Sequence, residues 1–440
     1  MKKKKFRGLL WVFTSLLVLS ALTGCTGFAK DTEVKTADQK VTLKFIWWGK
    51  QQRKEDTLKV IDLYMKSHPN VKIITEDYSV NDEVATQLAM ETADQNTADI
   101  IQGDYEFIFN YINRGLIEPL NPYIQQKILS TADILPDTLA PGMKDKQLYA
   151  INIGMNSEAV LYDPEFFQEA GITVPTKDYT IDDLHATLVQ LKEEISTPDF
   201  YPLGNMFNVN FYLRSRGVKM YNADGSGLGY DDDKILADYF ALYKKWVDEG
   251  LLSKDSLKDW PIDENHPLIT GKSAFYFAFS NNTSALSKIA GHAIHLLPFP
   301  QISKEAEGRF IKPSMFLMAS SYSKHPEEAV KFIDFFVNNV EANNILKGER
   351  GVPVSKAISA GLSAKADEVG KQQYELLDYL KTHSTPIDPP SPGNAGVLKN
   401  AIQLILSHVI EGTTTPEDGA KQYRIQANST LQGTKEESEK

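Results

Sequence analysis

Aromatic and planar polar side chains stand at the end of the first predicted strand. The strand 41–48 ends in Trp47 and Trp48, and Arg53 lies near the start of the helix that follows. Flat aromatic rings suit the apolar C–H faces of a sugar, and planar polar side chains suit its hydroxyl groups. An arginine near a helix N-terminus suits a carboxylate. These residue types are therefore compatible with a site for an acidic sugar.

Each of these residues also has a structural alternative. Strand neighbours point to opposite faces, so one tryptophan is expected in the core and the other at the site, with either assignment open. Arg53 fits a solvated surface position equally well.

The elements that would position these side chains follow from the pattern of apolar residues. Between Val41 and Asn113 the pattern alternates between strand and helix, which predicts a βαβαβ unit with a parallel sheet. Ligands bind at the carboxyl ends of strands in such sheets. Asp104 and Tyr105 follow the third strand at that edge, although Asp104 also fits a helix N-cap.

A second α/β run starts near Gln147, so the sequence predicts a two-lobed α/β body. It contains an amphipathic helix over 232–249, whose aromatic stripe indicates core. Phe279, Asn281 and Asn282 end a predicted buried strand. An aromatic ring followed by amides again suits a sugar, while core packing for Phe279 and a turn for the amides remain alternatives.

The N-terminus has the parts of a secretory signal. Basic residues at 2–7 precede an apolar stretch over 9–19, which is too short to span a bilayer, and small residues precede Cys25. The ending L-T-G-C looks like a bacterial lipobox. We therefore predict a signal peptide over 1–24, a lipid anchor on Cys25 and a flexible polar tether over 25–40. An ordinary signal peptide with a chance cysteine, or an uncleaved anchor, is the alternative.

Composition limits the possible partners. Residues 1–24 carry five positive charges and no acidic residue, so the chain without them has a net charge of −16 instead of −11. This acidity argues against nucleic acid as a partner. Cys25 is the one cysteine of the sequence, so the chain has no disulfide within it and no cysteine-based metal site.

The sequence contains few signals for catalysis or metal binding. It has no H-E-x-x-H, G-x-S-x-G, P-loop or dinucleotide-binding glycine motif. The segment 222–233 has calcium-loop-like oxygen spacing but lacks the terminal glutamate, so a glycine-rich turn explains it better. We predict no cofactor, no metal and no enzymatic activity.

Six segments in order resemble the bacterial extracellular solute-binding proteins of family 1, the lipoproteins that deliver sugars to ABC importers. They are Y-D-P-E-F-F-Q-E-A-G-I at 162–172, Pro175, the helix entered by Tyr179-Thr180, G-K-S-A at 271–274, A-V-K-F-I-D-F-F at 329–336 and G-E-R-G-V-P-V-S at 348–355. W-W-G at 47–49 with Gln52-Arg53, I-K-P-S-M at 311–315 and the block at 348–355 are together similar to a branch linked with pectin-derived oligosaccharides such as rhamnogalacturonan fragments.

The resemblance implies the family's type II binding-protein fold, with two α/β lobes and the ligand cleft between them. Carried onto this chain, lobe one holds 41–150 and 301–347, and lobe two holds 151–300 and 351–433. Hinges then fall near Ala150-Ile151, at 298–300 and at 348–350, and residues 434–440 form a disordered tail. The implied partners are an oligosaccharide and the transmembrane subunits of an ABC permease, and the implied state is a monomer.

The same resemblance adds candidate ligand contacts beside the hinges. Asn152 and Asn156 follow the first hinge, and Ser314 and Met315 would line the opposite side of the cleft. Arg350 either contacts the ligand or braces the last hinge.

Two other functions stay open on the sequence. A surface polysaccharide lyase or glycoside hydrolase would use the same aromatic rings and Arg53, although no acid/base pair has usable spacing. A sensor that presents its ligand to a partner receptor has the same sequence features as an import protein.

Overall fold

The computed structural model describes residues 40–438 apart from 50, 94–96, 259, 305 and 393–394, and side chains as far as residue 432. The predicted signal peptide, Cys25 and the predicted tether as far as residue 39 lie outside the described residues, as do residues 439 and 440. Among the described helices, none has both the length and the apolar character needed to cross a bilayer.

Strands and helices alternate along the chain. The strands are β1 (Val41–Trp48), β2 (Val71–Tyr78), β3 (Ile100–Gly103), β4 (Met143–Lys144), β5 (Gln147–Leu148), β6 (Ile151–Asn152), β7 (Met155–Tyr162), β8 (Phe275–Phe279), β9 (His295–Pro298), β10 (Ile311–Pro313) and β11 (Phe316–Ala319).

The α-helices are α1 (Gln51–Ser67), α2 (Asn81–Ala93), α3 (Tyr105–Asn113), α4 (Asn121–Gln125), α5 (Pro136–Leu139), α6 (Pro164–Ala170), α7 (Ile181–Glu194), α8 (Val209–Arg214), α9 (Lys234–Asp248), α10 (Asn282–Ala290), α11 (Pro326–Asn338), α12 (Val340–Leu346), α13 (Lys356–Ser363), α14 (Glu368–Leu380), α15 (Ala395–Glu411) and α16 (Pro416–Ser438). α16 continues beyond residue 433, where the predicted folded body ends.

The first lobe is built on a five-stranded sheet in the order β2–β1–β3–β11–β6. β1 pairs in parallel with β2 and β3, as the βαβαβ pattern predicts, and β11 runs antiparallel to β3 and β6. Four consecutive residues from Phe45 to Trp48 are buried because helices cover both faces of the sheet. The parallel strands therefore end together at one edge.

The second lobe is built around β7, which pairs antiparallel with β8, β9 and β10. Its core is rich in aromatic residues. The predicted stripe of α9 places Tyr239, Tyr243 and Trp246 there, all buried. The Tyr239 hydroxyl donates to the Phe207 carbonyl at 2.8 Å, which satisfies its polar end inside the core.

The chain crosses between the sheets at residues 153–154, from β6 to β7, and at residues 314–315, from β10 to β11. The second crossing differs from the one predicted at 298–300. β9 stays in the second sheet, and Gln301 pairs with Tyr179 and Ile181 of that lobe through backbone hydrogen bonds. Residues 301–313 therefore lie with the second lobe, because β10 finds its hydrogen-bond partners on β7.

A third segment, 350–352, packs beside the two crossings. Met155 and Val352 exchange two backbone hydrogen bonds of 2.8 and 2.9 Å. The chain then returns to the first lobe, where Val354 joins the core and the Ser355 hydroxyl donates to the Asp133 carboxylate at 2.6 Å. Residues after 351 are thus shared between the lobes, whereas the sequence assigns them all to lobe two.

Close packing at the crossings requires two glycines. A Cβ at Gly154 would lie 2.6 Å from the Arg350 carbonyl oxygen and 2.8 Å from the Ser314 hydroxyl. Gly351 has φ +105°, and a Cβ there would lie 2.4 Å from Asn156 Oδ1. All three segments are therefore in contact at one place.

His266 is a fully buried titratable group of the second lobe. Its Nδ1 accepts a hydrogen bond from the Leu268 amide at 3.3 Å, and its ring packs edge-on against Tyr276 with centroids 4.3 Å apart. Burial lowers the pKa of His266 from 6.5 to about 4, because the imidazolium would lose its hydration there.

We expect the protein to lose stability relative to its H266Q variant as the pH falls from 7 to 4. The unfolded imidazole takes up a proton below pH 6.5, whereas the folded one stays neutral until about pH 4. The contribution of neutral His266 is therefore fully present above pH 6.5 and is lost as the pH falls through that window, by at most about 3 kcal/mol. Urea denaturation of both proteins at pH 7, 5.5 and 4.5 measures this loss. A difference in the free energy of unfolding that stays constant with pH contradicts the prediction.

Candidate functional site

A cavity of about 1340 Å³ opens at the carboxyl ends of β1 and β2, between the two lobes. Trp48, Arg53 and residues 79–81 line it from the first lobe. The start of α10 and one face of α14 line it from the second. Small-molecule sites occupy about 300–1,000 Å³, so this space is larger than a typical small-molecule site.

The structure brings four of the predicted ligand contacts to this cavity, namely Trp48, Arg53, Asn281 and Asn282. Trp47 lies in the core instead. Its side chain is fully buried and its ring centroid is 6.2 Å from that of Phe45. The two neighbours point to opposite faces of β1, as expected for a strand, so Trp48 is the one at the cavity.

Arg53 is held by a carboxylate inside the cavity. Its Nε donates to both carboxylate oxygens of Glu349, at 2.9 and 2.8 Å, and its Nη1 lies 3.6 Å from the sulfur of Met315. The Arg53 side chain is 13% exposed and that of Glu349 is 30% exposed. Arg53 therefore lines the cavity with its charge partly balanced.

Arg350 braces the first lobe. It is buried, its Nε donates to Gln102 Oε1 at 3.1 Å, and its Nη2 donates to the Thr57 hydroxyl at 2.7 Å. Burial, and after it the charge of Arg53, lower the pKa of Arg350 to about 9. It is still a cation at neutral pH. Of the two roles predicted for Arg350, these contacts favour the brace.

Gln102 connects this brace to the cavity wall. Its Nε2 donates to the backbone carbonyl of Trp48 at 3.1 Å, while its Oε1 accepts from Arg350. Both ends of a fully buried amide are thereby satisfied. The sequence analysis did not identify Gln102. The available signal was a glutamine within a strand of otherwise apolar residues, since glutamine is mostly exposed in proteins.

The other hinge-side candidates lie in the packed crossings. Asn152 and Asn156 are 2% and 7% exposed, and Ser314 and Met315 are buried as well. Asn152 Oδ1 accepts from the amide of Gly154 at 3.2 Å. Of these four, Met315 contacts a residue that lines the cavity, because its sulfur lies 3.6 Å from Arg53 Nη1.

A second group of predicted residues joins the lobes away from the cavity lining. Asp104 caps α3 by accepting from the Glu106 amide, and its carboxylate lies 3.5 Å from Lys312 Nζ. The Tyr105 hydroxyl donates to the Asp388 carbonyl at 3.2 Å. Phe279 is 36% exposed beside the same lysine, whose Nζ is 5.4 Å from the ring centroid.

Glu158, which the sequence did not single out, lies opposite Phe279 in the β7–β8 pair. Burial raises the pKa of Glu158 to about 7, against the opposing effect of a hydrogen bond from Asn208. The Glu158 carboxyl therefore gives up its proton at a higher pH than an ordinary glutamate does.

The segment 222–233 forms a turn through its own hydrogen bonds. Asp224 Oδ1 accepts from the amide and the hydroxyl of Ser226, and Asn222 Oδ1 accepts from the Gly227 amide. Asp233 pairs with Arg424 of α16. These contacts match the glycine-rich turn that the sequence favours over a calcium loop.

The residues that line the cavity carry more positive than negative charge. The cations are Arg53, Lys59, Lys288, Lys347 and Lys365, and the carboxylates are Asp56, Glu349 and Asp367. This excess of two positive charges occurs in a protein whose net charge is −11. A cavity of this sign attracts an anionic ligand.

The chain resembles known proteins both in sequence and in fold. A family model described as bacterial extracellular solute-binding protein matches residues 59–371. An uncharacterised ABC transporter extracellular-binding protein of Pyrococcus horikoshii is 23% identical over 429 residues, which cover 92% of each chain.

Among solved structures, an extracellular solute-binding protein family 1 member from Alicyclobacillus acidocaldarius has a TM-score of 0.73 and 29% identity, covering 90% of this chain and 99% of the other. A periplasmic oligogalacturonide-binding protein of Yersinia enterocolitica, solved with saturated digalacturonic acid, has a TM-score of 0.74 and 21% identity, covering 89% and 99%. The chain has the two-lobed fold of these proteins, and it belongs to the bacterial extracellular solute-binding protein family.

Proposed function

We propose that this protein is the lipid-anchored substrate-binding component of a carbohydrate ABC importer, and that its ligand is a uronate-containing oligosaccharide derived from pectin. The excess of positive charge around a cavity of about 1340 Å³, in an acidic protein, carries the proposal. The charge matches carboxylates, Trp48 offers an aromatic face, and Asn281 and Asn282 offer amides for hydroxyl groups.

The relatives support the same assignment. The Pyrococcus protein is an ABC transporter binding protein, and the Yersinia protein binds digalacturonic acid. A ligand of that class would present one carboxylate on each ring, which fits a cavity lined by several cations. In this proposal the L-T-G-C motif attaches the protein to the membrane through Cys25, and the transmembrane subunits of a permease receive the ligand.

In the proposed mechanism, the ligand stabilises a closed arrangement of the lobes by touching both of them. Trp48 and Arg53 contact it from the first lobe, and Asn281 and Asn282 contact it from the second. The ligand shifts the population toward the arrangement in which both sets of contacts form. Two contacts would form only when the lobes are close together. They are the ion pair of Asp104 with Lys312 and the hydrogen bond of Tyr105 with Asp388. No covalent step is required.

Binding is tested by isothermal titration of the purified protein with trigalacturonate and with its fully methyl-esterified form. The two ligands share the same sugar rings and differ in charge. We expect saturable single-site binding of the acid at least tenfold tighter than that of the ester, because a charge-assisted contact to arginine contributes about 1.5–3 kcal/mol. Equal affinities contradict the acidic ligand, and release of shorter products from the acid would indicate a lyase or hydrolase.

A further inference from the structure

The ion pair between Arg53 and Glu349 occupies the position where the acidic ligand is expected to bind. Both carboxylate oxygens of Glu349 accept a hydrogen bond from Arg53 Nε, at 2.9 and 2.8 Å. Both residues line the cavity. A ligand carboxylate that approaches Arg53 therefore meets a carboxylate that is already part of the protein.

The charges around this pair are unequal. Arg350 Nη1 lies 3.7 Å from a Glu349 oxygen, so two guanidinium groups share one carboxylate. Arg350 Nη1 is buried and has no hydrogen-bond partner among the described residues. Arg350 cannot move away easily, because its other nitrogens are held by Gln102 and Thr57. Removing the carboxylate of Glu349 would leave two cations together, which another carboxylate would stabilise.

The backbone around Glu349 is fixed by hydrogen bonds, whereas its side chain is partly exposed. The Glu349 amide donates to the Leu346 carbonyl at 3.0 Å, and the Gly351 amide donates to the Gly348 carbonyl at 2.9 Å, so the turn is fixed on both sides. The Glu349 side chain is 30% exposed, which leaves room to rotate toward solvent. Its carboxylate would regain hydration there.

We propose that Glu349 is an internal competitor that occupies Arg53 until the carboxylate of a ligand displaces it. This inference rests on the proposed function. Glu349 lowers the affinity for acidic sugars below the value that the two arginines alone would give, while the affinity for uncharged sugars is unaffected.

The test is isothermal titration of E349Q with trigalacturonate and with its methyl ester. We expect E349Q to bind the acid about fivefold more tightly than the wild type, because an ion pair of this exposure contributes on the order of 1 kcal/mol. Affinity for the ester stays within twofold. E349D, whose shorter side chain holds Arg53 less well, should give an intermediate gain.

A matched control separates this local effect from net charge. D248N removes the same charge on α9, where Asp248 is 57% exposed and pairs with Lys244, and it should bind both ligands as the wild type does. Unchanged or weaker binding of the acid by both Glu349 variants overturns the competitor while leaving the binding function intact. Failure of the wild type to bind either oligomer overturns the proposed function and this inference with it.

Discussion

Replacing Arg350 with alanine is expected to lower the free energy of unfolding by about 3 kcal/mol. The substitution leaves Gln102 Oε1 without its donor in the interior and removes the donor to the Thr57 hydroxyl. It also removes a guanidinium that stacks 5.4 Å from the ring centroid of Phe336 and opens a cavity at the crossings. Urea denaturation at pH 7 measures the loss.

Arg114 supplies the control for the Arg350 variant. It ends α3 on the surface, and R114A should change the free energy of unfolding by no more than about 0.5 kcal/mol. A loss below 1 kcal/mol in R350A would show that the buried hydrogen bonds of Arg350 contribute little, and that other contacts hold the segment 350–352 in place.

The R53Q variant is expected to bind trigalacturonate about thirtyfold more weakly than the wild type. The substitution removes a charge-assisted contact and leaves Glu349 without its partner in the cavity, where it repels the ligand carboxylate. Affinity for the methyl ester should fall by no more than about threefold. Isothermal titration of both ligands gives the two ratios.

Lys59 provides the comparison for Arg53 on the same helix. It also lines the cavity, but its side chain is 58% exposed and pairs with Asp56. K59Q removes the same formal charge and should weaken binding of the acid by no more than about twofold, because exposed charges are screened. Equal losses in K59Q and R53Q would mean that the ligand responds to the overall field and not to Arg53.

Local sequence patterns predicted most of the fold's elements. The parallel pairing of β1 with β2 and β3 followed from alternating strands and helices, and the buried stripe of α9 followed from helical spacing. The crossing between β10 and β11 could not be predicted in this way. A three-residue strand such as β10 has almost no periodicity, and its lobe is decided by which strand offers hydrogen bonds.

The candidate site was predictable where it depended on strand ends, and not where it depended on distant packing. Trp48 and Arg53 follow directly from their place at the end of β1. Glu349 contacts Arg53 although the two lie 296 residues apart in sequence. Gln373 and Tyr374 line the cavity from α14, whose alternation of polar and apolar residues is that of an ordinary surface helix. Asp104 is the opposite case. It lies at a strand end as predicted, but it caps α3 and pairs with Lys312 and does not line the cavity.

The amide of Gln102 links the wall of the cavity at Trp48 to the buried Arg350. Arg350 donates to its oxygen, and its nitrogen donates to the Trp48 carbonyl, so the three groups form a chain with a single direction. A cation at one end polarises the amide and strengthens the bond at the other end. The last residue of β1 is thus held from a segment about 300 residues away in sequence. Residues that never touch a sugar can therefore tune its affinity, and screens for altered specificity should include them.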